Sequence, residues 1–239
     1  MKNSIRTEEE TKKYLKELKS WLEQARGTPV EEMSAFFGKR IDVYEDVHLG
    51  NWREEYENIA SFLPDGCARL LDIGCGTGLE LRSVFARFPD IAVTCIDLSP
   101  VMLEKLRVSF GDKNIEIVCA DYFRHTFGES VYDAALSFET LHHFPFEEKG
   151  KIYKKLFGAL KSGGTYVECD YVACCEEEEA LCLAEYCHRT KNSGKPDGYV
   201  HIDIPLTLEK QKRLFERAGF MEIETPYVNK STAIFIAKK

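Results

Sequence analysis

Leu71-Asp72-Ile73-Gly74-Cys75-Gly76-Thr77-Gly78 decides how this chain of 239 residues folds. Arg69 to Ile73 ahead of the turn read as a buried strand, and Leu79 to Phe88 behind it read as a helix. Glycine lacks a Cβ, so it allows positive φ in the tight turn between them and lets backbone approach a bound molecule. The next apolar run, Ile91-Ala92-Val93-Thr94-Cys95-Ile96, ends at Asp97. A carboxylate about 20 residues beyond a glycine-rich strand-to-helix turn stands where a ribose diol is recognised in doubly wound α/β sheets. A nucleoside ligand is the first inference.

The third glycine sets the kind of nucleoside. Turns that cradle a dinucleotide's pyrophosphate use G-x-G-x-x-G, with the last glycine packing helix against strand. Here the spacing is G-x-G-x-G, and the last dinucleotide position is Leu79. Asp72 suits an amino group better than a pyrophosphate. An adenosine joined to an amino acid fits both facts. With L-D-I-G-C-G-T-G, the sequence resembles the class I S-adenosylmethionine-dependent methyltransferase family from about Arg69 to the C-terminus. The resemblance implies an α/β, Rossmann-like, doubly wound and mostly parallel seven-stranded sheet with an antiparallel last strand. It also implies S-adenosylmethionine as cofactor and methyl transfer as the activity.

Carried onto this chain, the resemblance implies that Gly74, Cys75, Gly76 and Gly78 support the methionine part of the cofactor. Asp72 then reaches the cofactor's amino group, directly or through water, and Asp97, followed by Leu98, meets the ribose. Asp121 stands where a carboxylate accepts from the adenine amine, and Tyr122 where a flat side chain covers the ring. Phe138 and Tyr44 offer aromatic faces to the sulfonium cation. Plain structural roles stand beside each of these: turn glycines, a local cap, strand-end acids.

Phe138-Glu139-Thr140-Leu141-His142-His143-Phe144 resembles the family's segment facing the transferred methyl. His142, His143 and His201 are the candidate bases, though family members carry L-H-H here without using it, and one of the pair caps or packs in the alternative reading. Ser137-Phe138-Glu139-Thr140 lacks the [N/D]-P-P-[Y/F] of enzymes that methylate exocyclic base nitrogens. The acidic set of the metal-dependent catechol branch is not evident, so no metal is expected. Cys169, Cys174, Cys175, Cys182, Cys187 and His188 do not form the C-x₂₋₄-C pairs of a zinc site and give a metalloid substrate little support. Tyr44, His48 and Tyr199 are candidate substrate-lining residues, with interhelix packing as the alternative.

Composition narrows the class further. A 44% hydrophobic chain of this length suits one full core with a small appendage. Net charge −8 argues against nucleic acid as the main partner. No apolar run suits a membrane span or a secretory leader, and nine scattered cysteines suit reduced thiols, so a cytoplasmic protein is expected.

Alternating strand and helix signals from Ala68 onward indicate a parallel sheet covered on both faces. Residues 1–66 read as an N-terminal helical cap: a helix with a Thr7/Glu10 capping box stopped at Gly27, a short helix after Pro29, a mixed stretch Ile41–Gly50, and a helix from Asn51 to Phe62. Residues 67–239 form the cofactor-binding domain. Its 170–205 insertion leaves the carboxyl end of the fifth strand and is the candidate substrate cover. The expected reaction is methyl transfer to O, N or S of a small molecule, mainly by proximity and alignment. An RNA or protein methyltransferase, a non-methylating enzyme using the same cofactor, and a non-catalytic cofactor-binding module are the alternatives.

Overall fold

A computed structural model describes residues 1–192 and 199–239. The Gly194-to-Gly198 turn region expected inside the insertion lies outside the described residues. Five strands, β1 (Arg69–Ile73), β2 (Ala92–Asp97), β3 (Ile115–Cys119), β4 (Tyr132–Phe138) and β5 (Leu160–Ala173), pair in parallel. A two-residue β6 (Leu206–Thr207) runs beside β5, off the main path. β7 (Glu222–Asn229) and β8 (Thr232–Lys238) form a hairpin, so they must be antiparallel, and β8 enters between β5 and β7. The order β3-β2-β1-β4-β5-β8-β7 gives the expected seven strands, with β6 added at the side.

Both faces of the sheet are dry because the strands are apolar on both sides. Leu70, Val93, Ala134 and Leu136 belong to one core, and Leu71, Ile73, Ile96 and Ala135 to the other. α4 (Leu81–Arg87) and α5 (Pro100–Phe110) cover the first face with Leu81, Val84, Leu103 and Leu106. α6 (Phe146–Ala159) and α8 (Leu208–Ala218) cover the second with Ile152, Leu156, Leu214 and Phe215. The connections after β1 and β4 therefore leave toward opposite faces, and a crevice opens at the carboxyl ends of these two neighbours.

The N-terminal helices close over that end. α1 (Glu8–Ala25) begins with the expected capping box and packs on α7 (Glu176–Asn192) of the insertion. α2 (Met33–Lys39) is joined to the returning arm of the insertion by a Glu32–Val200 bridge and by Met33 N–H donating to the Tyr199 carbonyl at 3.0 Å. Ile41–Gly50 is helical rather than a mixed stretch: α3 spans Ile41–Asn58 as two helical pieces, followed by a 3-10 turn over Ile59–Phe62. The pieces join at a kink where Trp52 leaves helical geometry (φ −132°, ψ 28°), near the expected helix start at Asn51. Its inward stripe is Tyr44, His48, Trp52 and Tyr56, one residue per helical turn. Aromatic and polar side chains in that stripe hide the helical period that aliphatic ones would display.

The glycines Gly163 and Gly164 also fall differently from the expected helix stop. α6 ends at Ala159, and both glycines lie inside β5, where its register with β4 shifts. The tie between α3 and the sheet is specific: Tyr227 Oη on β7 donates to buried Glu55 Oε1 at 2.6 Å. Tyr227→Phe leaves that carboxylate oxygen without its donor. An unsatisfied buried polar group costs about 1–3 kcal/mol, and a loss of that size is the expected result of urea unfolding on the variant.

Candidate functional site

The crevice holds two connected cavities. The first is a narrow cleft with about 60 Å³ of free volume, below the range of about 300–1,000 Å³ usual for small-ligand sites. Gly74 and Gly76 form its floor at the end of β1, with φ of 66° and 51°. A Cβ on Gly74 would stand 2.3 Å from Thr140 Oγ1, and one on Gly76 3.2 Å from Tyr44 Oη. Only glycine leaves this floor open.

Asp97 at the end of β2 accepts from Gly76 N–H at 3.0 Å and Ser99 N–H at 2.8 Å. Ser99 in turn caps α5, so one carboxylate locks turn, strand and helix together. Burial raises the Asp97 pKa, while the Ser99, Gly76 and Leu98 N–H groups oppose the rise. Leu98 lines the wall beside it. Across the cavity, Asp121 accepts from Phe123 N–H at 2.8 Å and from Tyr199 Oη at 3.0 Å. Tyr122 is buried next to it, and Phe138 stacks on Tyr56 at 3.8 Å.

Several expected cofactor residues sit behind this wall rather than in it. Gly78 faces Leu81, Leu106 and Phe110 at 3.1–3.3 Å from an added Cβ, so its service is packing the turn on α4 and α5. Cys75 is buried beside Cys95, and burial pushes its thiol pKa well up. Asp72 is wholly buried, and neither of its oxygens has a hydrogen-bond partner. Burial, then repulsion from Glu80, drives the Asp72 pKa well up. Burial lifts Glu80 to about 7; Asp72 works against that rise and Asp97 adds to it. A buried acid pair behind a glycine floor suits an ammonium group. The donor set as a whole fits S-adenosylmethionine: Asp72 for its amino group, Asp97 for the ribose, Asp121 and Tyr122 for adenine.

The second cavity shares Phe37, Glu139 and His143 with the first and opens to solvent past His48, Trp52 and Lys230. His142, His143 and His201, the three expected bases, all line it. His142 and His143 occupy a 3-10 turn after β4, and Ile204 N–H donates to the His142 carbonyl at 2.7 Å, which brings Asp203 alongside. His142 Nδ1 lies 2.6 Å from Asp170 Oδ1. Burial acts to lower the His142 pKa, but Asp170, Asp203 and Glu139 overcome it and carry it to about 9. Burial and then His142 lower His143 against Asp203. His201 stacks on Phe36 at 3.5 Å and is pushed down to about 3, chiefly by burial. His48, bonded to Tyr56 Oη at 2.9 Å, falls to about 4, again chiefly by burial.

The residues expected to line a substrate pocket are divided between the cavities. Tyr44 and Tyr199 belong to the first, His48 to the second. Phe37, Asp170 and Asp203 were not singled out by sequence, and Glu139 was noted only as part of its segment. Trp52, a candidate pocket aromatic, lines the second cavity. Asp170 in the carboxyl half of β5 carried a weak signal, as one of two acids, with Glu168, among mostly apolar neighbours. All nine cysteines are free thiols. Among the described residues no helix is long and apolar enough to cross a membrane.

Residues 70–164 match the family model described as "Methyltransferase domain". A carboxy-S-adenosyl-L-methionine synthase from Chromohalobacter salexigens is 28% identical over 187 residues, covering 72% of this chain and 68% of that protein. A malonyl-acyl-carrier-protein O-methyltransferase from Acetivibrio thermocellus is 36% identical over 95 residues, covering 40% of this chain and 32% of that one. The structure of human N-acetylserotonin methyltransferase with S-adenosylmethionine superimposes with a TM-score of 0.62 at 16% identity, over 86% of this chain and 56% of that one. A doubly wound sheet with β8 inserted antiparallel, and a glycine-floored nucleoside cavity at its switch point, define a protein that uses S-adenosylmethionine. Over residues 70–164 this chain carries a methyltransferase domain, and its fold is shared with solved methyltransferase structures.

The Glu80 carboxyl makes a pH prediction. Its folded pKa of about 7 lies above the ordinary 4.5, so the folded state holds a proton that the unfolded state releases first. Stability is then greatest below the unfolded value, declines as pH rises toward 7, and levels off above it. Urea unfolding of the ligand-free protein across that window should show this decline, and Glu80→Gln should make it shallower.

Proposed function

We propose that this chain transfers the methyl group of S-adenosylmethionine to an O, N or S atom of a small molecule held in the second cavity. The observation that carries this reading is the shared wall. An acceptor in the second cavity stands against Phe37, Glu139 and His143, the same residues that line the cofactor chamber. The cofactor supplies an electrophilic methyl on a sulfonium. The chain's own task is alignment, and holding two reactants in line supplies about 7–11 kcal/mol of a barrier.

Gly74 and Gly76 seat the methionine part, Asp97 the ribose, and Asp121 with Tyr122 the adenine. Tyr44 and Phe138 present aromatic faces to the cationic centre, which favours them over water as its neighbours. An acceptor that arrives protonated needs a proton acceptor, and His143 and His201, both neutral, line the second cavity, while His142, raised to about 9, holds its proton at neutral pH. α2, α3 and the returning arm of the insertion exclude water from the junction. Net charge −8 and the narrow junction favour a small acceptor over a nucleic acid, and the same features suit a cytoplasmic enzyme.

A second reading draws on the carboxy-S-adenosyl-L-methionine synthase relatives: the cofactor itself is remodelled by a small acid in the second cavity. Thermal unfolding with S-adenosylhomocysteine, with NAD as control, tests the cofactor. Saturation at 100 times the dissociation constant stabilises by about 2.7 kcal/mol, a rise on the order of 5–10 °C for a chain of this size. A rise with S-adenosylhomocysteine alone is expected, reduced in Asp97→Asn. A rise with NAD alone would overturn the reading. Mass spectrometry of products then separates the two reactions: a methylated acceptor with S-adenosylhomocysteine, or a heavier cofactor with no methylated acceptor.

A further inference from the structure

Two buried polar atoms at the junction approach each other without bonding. His143 Nδ1 lies 3.1 Å from Asp203 Oδ1, yet neither atom makes a hydrogen bond to any group. His143 is 4% exposed, and the Asp203 side chain, though partly exposed, turns this oxygen inward. His142 Nε2 stands 3.7 Å from the same oxygen. Atoms that converge in this way share a third point. Ligands about 2.0–2.2 Å from one ion stand roughly 3.0–3.5 Å from each other in octahedral or tetrahedral geometry. The His143–Asp203 pair meets that spacing at 3.1 Å, and the His142–Asp203 pair is slightly wider at 3.7 Å. One ligand atom from each of the three residues lies within 4.8 Å of the others.

The far side of His142 supports the same conclusion. Its Nδ1 bonds Asp170 Oδ1 at 2.6 Å, which fixes the ring with Nε2 on the Asp203 side. An ion bound there would displace the Nε2 proton and take that lone pair. A carboxylate behind an imidazole is the outer support that metal-binding histidines typically have. Glu139 adds a further sign of a built site. It is buried at positive φ of 48°, a conformation costly for a side chain with a Cβ, and its Oε1 has no partner.

We propose that His142 Nε2, His143 Nδ1 and Asp203 Oδ1 bind one divalent first-row transition ion at the wall shared by the two cavities, with Asp170 as the positioning residue. Two imidazoles and one carboxylate suit zinc, iron(II), cobalt or manganese better than the all-oxygen preference of calcium or magnesium. Three protein ligands leave a coordination position open toward the second cavity. The ligands come from two segments far apart in sequence, which is why no metal was expected from motif spacing.

The open position defines an acceptor class, and this extension rests on the methyl-transfer reading. A hydroxyl or thiol bound there loses its proton to water and is held as alkoxide or thiolate. Its lone pair forms the new bond to the methyl carbon as the carbon–sulfur bond breaks, and that pair stays on sulfur, giving neutral S-adenosylhomocysteine. His142 and His143 then serve as ligands rather than as bases.

The test uses the full chain, stripped with EDTA and titrated with cobalt(II) and zinc. Wild type should take up one ion per chain and develop the visible absorption of nitrogen- and oxygen-ligated cobalt. Asp203→Asn and His142→Gln, which do not line the cofactor cavity, should bind at least ten-fold more weakly and keep the thermal shift with S-adenosylhomocysteine. Asp170→Asn should bind about 10–100-fold more weakly. Less than a tenth of an ion per wild-type chain with no cobalt spectrum, or variants that bind as tightly as wild type, would overturn the site. An ion bound by a wild type that shows no shift with S-adenosylhomocysteine supports the metal site and overturns the methyl-transfer reading instead.

Discussion

The Asp97 carboxylate is the interaction on which the site depends. Its two oxygens take the Gly76 and Ser99 N–H groups, so the glycine turn, the end of β2 and the start of α5 are set by one side chain. These are charge-assisted bonds from backbone donors in a buried place, stronger than neutral ones. They hold the floor of the cavity in the shape that ligand recognition needs before any ligand arrives. A carboxylate that satisfies backbone donors also retains lone pairs for a diol, so structural and recognition roles do not compete.

The second constraint is electrostatic. This end of the sheet gathers Asp72, Glu80, Asp97, Glu139 and Asp170 with little exposure to water. Burial opposes ionisation of Asp72, Glu80, Asp97 and Glu139, and at Asp72 and Glu139 no hydrogen bond offsets it at one or both oxygens. Such a crowd of acids is tolerated where cations complete it. In the proposed reading the cofactor's ammonium and sulfonium would answer the acids on the β1 side, and the proposed ion at His142, His143 and Asp203 would answer those on the β4 and β5 side. Each cavity thus carries its own counter-charge requirement, and the two meet within one residue's width at His143.

Legibility followed locality. The glycine turn, Asp97, Asp121 and Tyr122 were readable because each depends on a few consecutive residues at a strand's carboxyl end. The capping box at Thr7 and the β7–β8 hairpin were readable for the same reason. α3 was partly missed because its buried stripe is Tyr44, His48, Trp52 and Tyr56, a pattern that lacks aliphatic periodicity. Gly163 and Gly164 were misplaced because a bulge and a helix stop use the same residue. The acid set around His142 was not legible, since Asp170 and Asp203 reach it only through the pairing of β5 with β4 and the return of the insertion.

The sequence by itself determined the doubly wound sheet, the nucleoside cofactor and the strand ends that meet at the crevice, because strand alternation and turn chemistry are local properties of the chain. Tertiary structure alone decided that Gly78 packs helices while Gly74 and Gly76 form the floor. It alone decided that Tyr44 and Tyr199 close the cofactor chamber while His48 opens on the other, and that two histidines share an oxygen of Asp203. Those outcomes depend on which segments the closed sheet brings within a few ångströms, a matter of packing between distant parts of the chain that no spacing along it records.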